Sequence, residues 1–131
     1  MSRRIPYTAS LSNNGLPYVK VGDREEPLVI FISGSPDNTV PDGIALKPFV
    51  DGVGRLAETY TVYLVKRKRG LPAGYTTQDM ARDYAAMIRQ EIATPCHIVG
   101  VSAGGFIAEH FAVTYPELVK RLVIAIALEN G

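Results

Sequence analysis

The sequence predicts an α/β fold: a mostly parallel, doubly wound sheet of six strands that opens with an antiparallel hairpin. Three observations carry this expectation. Ser12-Asn13-Asn14-Gly15 separates two short strand-like runs, and Asn-Gly is the strongest local hairpin signal. Apolar or β-branched runs then recur at 28–32, 61–65, 97–101 and 121–127. Segments with helical periodicity lie between them. Strand–helix–strand units in succession imply a parallel sheet with helices on both faces.

Each element has a local reason. Tyr7 to Leu11 and Leu16 to Val21 are the two hairpin strands. Pro27 precedes Leu28-Val29-Ile30-Phe31-Ile32, a run apolar on both faces that suits a buried central strand. A loop rich in Gly, Ser, Pro and Asp follows from Ser33 to Gly43, and a helix is predicted from about Leu46 to Glu58. Thr61-Val62-Tyr63-Leu64-Val65 is β-branched and aromatic, hence a strand. Thr77-Gln78-Asp79 opens a second helix, in which Met80, Tyr84, Met87, Ile88 and Ile92 recur at helical spacing. His97 to Val101 reads as a strand, Ala103 to Tyr115 as a helix stopped by Pro116, and Arg121 to Ala127 as the last strand. No repeat, linker or low-complexity segment divides residues 1–131, which are expected to form a single domain.

Composition excludes several function classes. The chain has 131 residues, 47% of them hydrophobic and 21% charged, with a net charge of +1. That balance gives no reason to expect nucleic acid or a membrane surface as partner. Lys66 to Arg69 is read as a solvated strand end. The lone Cys96 cannot form an internal disulfide and is expected in the core. The N-terminus is positive but lacks an apolar stretch behind it, and Leu122 to Leu128 is too short to span a bilayer. A cytoplasmic protein is expected. Two His and one Cys in separate elements give no metal-ligand pattern. Gly52-Val53-Gly54-Arg55-Leu56-Ala57 imitates a dinucleotide fingerprint but precedes a strand instead of following one. Neither a metal nor another cofactor is expected.

The chemistry concentrates at Gly100-Val101-Ser102-Ala103-Gly104, a G-x-S-x-G run between a strand and a helix. This is the form of a nucleophile elbow, which holds a serine at the tip of a tight turn. Gly100 and Gly104 stand where side chains would block the approach of strand and helix. Ser102 precedes a helix N-terminus, whose free N–H groups and dipole favour a developing negative charge. The N–H of Ala103 is one oxyanion-hole donor, and the loop after the third strand is expected to supply the second through Ser35. Tyr75, Asp37 and Asn38 lie on loops near this presumed site.

These features resemble the N-terminal half of the α/β-hydrolase superfamily. The resemblance rests on the hairpin, Ile32-Ser33-Gly34-Ser35 at the oxyanion loop, Arg69-Gly70 after the fourth strand, the elbow, and Tyr115-Pro116-Glu117-Leu118-Val119 ahead of the sixth strand. It implies strand order 1-2-4-3-5-6, with the site at the C-terminal ends of the strands. A serine nucleophile implies cleavage of ester, thioester, amide or C–C bonds. Relatives that open epoxides or remove halides carry an aspartate there. The chain departs from the family at Ser33-Gly34, where many members have His-Gly. Lys66-Arg67-Lys68-Arg69-Gly70 likewise replaces Asp-x-Arg-Gly-x-Gly. The last two strands, the cap and the catalytic histidine of the family have no counterpart before Gly131.

A serine hydroxyl needs a base within reach. His97 lies five residues before Ser102 on the same strand, roughly 16 Å away, and His110 lies roughly 12 Å along the following helix. Both are read as structural or surface residues. Glu129, just after the sixth strand, sits where some members of the superfamily carry their triad acid. The alternatives are Lys66 as base, requiring a pKa lowered by burial, a histidine supplied across an interface by a second copy, or turnover from the oxyanion hole alone. The expected function is a serine-nucleophile hydrolase of low efficiency acting on activated or short-chain carboxylic esters. The alternative is a catalytically incomplete half-domain that self-associates or binds a missing partner. The open apolar edge of the last strand, Leu122 to Leu128, invites pairing, so a homo-oligomer, most simply a two-fold dimer, is expected.

Overall fold

Continuous burial along the two central strands, residues 27–31 and 61–65, gives the sheet two covered faces. The computed structural model describes residues 5–32, 53–66, 72–101 and 104–125. Strands β1 (Tyr7–Leu11) and β2 (Pro17–Val21) pair antiparallel, and β2 pairs antiparallel with β4 (Tyr60–Lys66). β3 (Glu26–Ile32) lies parallel between β4 and β5 (Cys96–Val101), and β6 (Val119–Ala125) pairs parallel with β5. The order is β1-β2-β4-β3-β5-β6, as the resemblance implies.

In β3, Val29 and Phe31 enter the core under helices α1 (Thr77–Met87) and α2 (Gly104–Thr114). Leu28 and Ile30 enter a second core on the opposite face with Val62, Leu64 and Ala57. A strand buried on both faces has to be apolar throughout, which is why this run does not alternate. Most of the helix expected over 46–58 falls outside the described residues. Within them, Leu56–Glu58 forms a 3-10 turn. No helix of the described residues is long and apolar enough to cross a membrane.

The hairpin is locked from both sides. Ser12 Oγ accepts the Leu16 N–H at 2.9 Å and donates to Asn14 Oδ1 at 2.7 Å, while Gly15 adopts φ +88°. Asn14 Nδ2 then donates to the Asp83 carbonyl at 2.9 Å, tying the turn to α1. The start of α1 is a capping box: the Asp79 N–H donates to Thr76 Oγ1, and the Thr76 N–H donates to the Asp79 carboxylate. The predicted apolar stripe faces inward, with Tyr84, Met87 and Ile88 buried and Met80 and Ile92 packed alongside. The helix does not end cleanly. It widens into a π-helical turn over Ile88–Ile92, closed by Ala93 at φ +66°.

β6 begins two residues earlier than the pattern suggests, because Val119 pairs with Cys96. The charged Lys120 is accommodated at the rim, where its Nζ lies 3.0 Å from Glu26 Oε1. The other Glu26 oxygen lies 3.0 Å from His97 Nε2, so one carboxylate ties the starts of β3, β5 and β6. Its acidity is raised first by the Lys120 hydrogen bond and then by that of His97. A carboxylate whose folded pKa is depressed stabilises the fold above its unfolded pKa, near ~4.3 for Glu. That contribution is lost as pH falls through the lower folded value. Glu26→Gln is therefore expected to lower the melting temperature at neutral pH and to converge on the wild type at strongly acid pH, as read by thermal melts across the range.

Cys96 lies in the core, and burial pushes its thiol up to about 12. It is therefore protonated at neutral pH. Ellman's reagent is expected to leave the native protein unmodified at pH 8 and to label one thiol per chain in denaturant. Labelling of the native state at the denatured rate would contradict the placement.

Candidate active site

The register of the sheet determines where the candidate residues leave it. Ile32 pairs with Lys66 on one side and Val101 on the other, and Val101 pairs with Ala125. The four strands are parallel, so this row is their common C-terminal edge. The segments that follow residues 32, 101 and 125 therefore all leave the sheet from this row. Ser35, Ser102, Ala103 and Glu129 belong to those three segments and lie outside the described residues, as do Asp37 and Asn38. Lys66 ends β4 in the same row.

Only residues 102 and 103 separate the end of β5 from Gly104, the first residue of α2. The tightness of this junction is visible at Gly100. A Cβ there would lie 2.7 Å from the Ala108 Cβ, 2.7 Å from the Gly104 carbonyl oxygen and 2.8 Å from the Gly105 Cα. Strand and helix therefore meet through backbone atoms, and only glycine fits. A second glycine was missed by the motif reading. A Cβ on Gly105 would approach Ile124 Cγ2 of β6 to 2.9 Å. The doubled glycine 104–105 carried the signal, but its need comes from a strand further along the chain.

Neither histidine joins the edge. His97 is at the opposite end of β5, four residues before Val101 and roughly 13 Å from it. Its ring faces the Glu26 carboxylate, with Tyr60 packed edge-on at 5.3 Å between ring centroids. His110 is exposed on the outer surface of α2, roughly 9 Å along the helix from Gly104. Tyr75 is a structural tie. Its hydroxyl donates to the Asp83 carboxylate, joining the loop before α1 to the helix. Burial, then that carboxylate, pushes the phenol up to about 12, so Tyr75 remains a hydrogen-bond donor.

A mixed six-stranded sheet in this order, with β5 and α2 in backbone contact at Gly100 near its C-terminal edge, defines a class. The chain belongs to the alpha/beta hydrolase fold family, which it matches over residues 57–129. Among its relatives, RutD of Pantoea ananatis, named for carbamate hydrolysis, is 39% identical over 54 residues, covering 41% of this chain and 20% of RutD. Epoxide hydrolase 1 of Caenorhabditis elegans is 29% identical over 108 residues, covering 82% of this chain and 27% of that protein. Among solved structures, the 2-hydroxy-6-oxo-6-phenylhexa-2,4-dienoate hydrolase BphD from Rhodococcus sp. strain RHA1 superposes with a TM-score of 0.69 at 18% identity. That match covers 98% of this chain and 50% of BphD. The chain thus spans about a fifth to a quarter of the curated relatives it matches, and about half or less of the solved hydrolases.

Proposed function

We propose that the chain carries the nucleophile half of a serine hydrolase for activated or short-chain carboxylic esters. Ser102 Oγ attacks the ester carbonyl, and the N–H groups of Ser35 and Ala103 receive the oxyanion. Glu129 is the candidate acid or base. The Oγ–acyl bond forms, the ester C–O bond breaks, and the serine proton ends on the departing alcohol. Water then cleaves the acyl-serine to the free acid and restores Ser102.

The observation that best supports this reading is the shared edge of Ile32, Val101 and Ala125, from which the three candidate segments depart together. The close backbone contact at Gly100 adds to it. A serine at position 102 favours acyl transfer over epoxide opening, for which the family resemblance implies an aspartate. The positions of His97 and His110 favour low efficiency, because neither lies near that edge. A site with an incomplete triad still retains roughly 10³–10⁴-fold catalysis over water in a well-studied protease.

Hydrolysis of a p-nitrophenyl short-chain ester tests the assignment. Ser102→Ala is expected to lower the rate by at least about tenfold, roughly 1.4 kcal/mol of barrier. His97→Ala and His110→Ala are expected to leave it within about twofold. Equal rates for wild type and Ser102→Ala would remove Ser102 from the chemistry and favour the second reading, a half-domain that needs a partner polypeptide. That reading rests on the same histidine positions.

A further inference from the structure

The outer face of α2 carries an unusual pairing of side chains. Phe106 and Val113 are 69% and 82% exposed, seven residues apart and therefore on one ridge of the helix. Glu109 and His110 are exposed between them. At about 100° per residue, Glu109 and His110 lie on opposite flanks of that ridge. Leu122 of β6, also exposed, lies on the same side of the sheet as α2, since it pairs with Ile98 of the core under that helix.

We propose that this face is a two-fold interface between two copies of the chain, with the two α2 helices side by side and parallel. The flanks select the orientation. A two-fold axis along the helices sets Phe106 against the partner's Phe106 and Val113 against the partner's Val113. It also brings Glu109 of each copy to the partner's His110, twice. An axis across the helices would instead oppose Glu109 to the partner's Glu109 and His110 to the partner's His110. The face is thus self-complementary in one arrangement only, which is the requirement for an isologous contact. The β6 edge, where sequence alone directs self-association, offers backbone pairing without such a selection rule. The α2 ridge supplies one.

Sedimentation of the full chain at micromolar concentrations tests the proposal. Twice the chain mass is expected for the wild type. Phe106→Glu and Val113→Glu are each expected to raise the dimer dissociation constant by at least about 30-fold, as for central apolar anchors. Circular dichroism is expected to be unchanged, because both side chains are exposed in the monomer. Glu109→Lys should weaken the dimer severalfold, and the exchange Glu109→His with His110→Glu should restore it. Under mild oxidation, Phe106→Cys is expected to crosslink to itself in the parallel arrangement. A crosslink formed only in mixtures of Phe106→Cys with Val113→Cys would overturn the parallel orientation. A monomeric wild type would overturn the proposal and leave the face to a different polypeptide. A dimer indifferent to Phe106→Glu and Val113→Glu would also overturn it, moving the interface to the β6 edge.

Discussion

Phe31→Ala is expected to destabilise the protein by about 3–5 kcal/mol, the range for emptying a buried aromatic site. Phe31 is fully buried in β3, the strand that joins both halves of the parallel sheet. Its ring stacks on Tyr84 of α1 at 4.1 Å between centroids and meets Phe111 of α2 edge-on at 5.3 Å. One side chain therefore joins the sheet to both helices of this face. Alanine would leave a void walled by two rings that are themselves held by helices, so collapse around it is limited. Against a typical stability of about 5–15 kcal/mol, such a loss leaves little margin at physiological temperature. Urea denaturation of the variant, with the midpoint falling and the slope retained, is the measurement. A loss below about 1 kcal/mol would mean that Tyr84 and Phe111 close over the site.

Gly100→Ala is expected to cost about 3 kcal/mol, at the upper end for overpacking, and to suppress activity more strongly than the lost stability explains. Two of the three atoms that its Cβ would meet belong to the backbone of α2, at 2.7 and 2.8 Å. Backbone cannot rotate away as a side chain can, so the helix would have to lift from the strand. Residues 102 and 103 connect these two elements, and lifting the helix would displace the proposed nucleophile Ser102 from its proposed oxyanion donors. Ester hydrolysis at a temperature where the variant is still folded separates the two effects. Alanine at this position with unchanged activity and melting temperature would show that the junction yields without cost.

Several features were legible because their causes are local. The Asn-Gly turn predicts the hairpin, and Thr76 with Asp79 caps α1 where the helical spacing begins. The runs at 28–32 and 61–65 become the two strands buried at the centre of the sheet. The G-x-S-x-G run falls between β5 and α2, and the candidate nucleophile Ser102 and candidate donors Ser35 and Ala103 lie outside the described residues. Other features had no local signal. The π-helical turn at Ile88–Ile92 continues an apolar pattern that reads as ordinary helix. The bridging of His97 and Lys120 by Glu26 joins residues far apart in sequence. The early start of β6 follows from pairing with Cys96, and the constraint on Gly105 comes from Ile124.

The sequence by itself determined the six strands, the two described α-helices and the place of the G-x-S-x-G run between β5 and α2, since each follows from periodicity, turn chemistry or spacing along a few residues. Strand order came from a family resemblance, because periodicity says which face a residue occupies and nothing about which strand lies beside it. Only the tertiary structure decided the register. Pairing Ile32 with Val101 and Val101 with Ala125 is a choice among non-local partners, settled by which apolar sets are buried together. That register gathers three separate segments at one edge and leaves both histidines elsewhere.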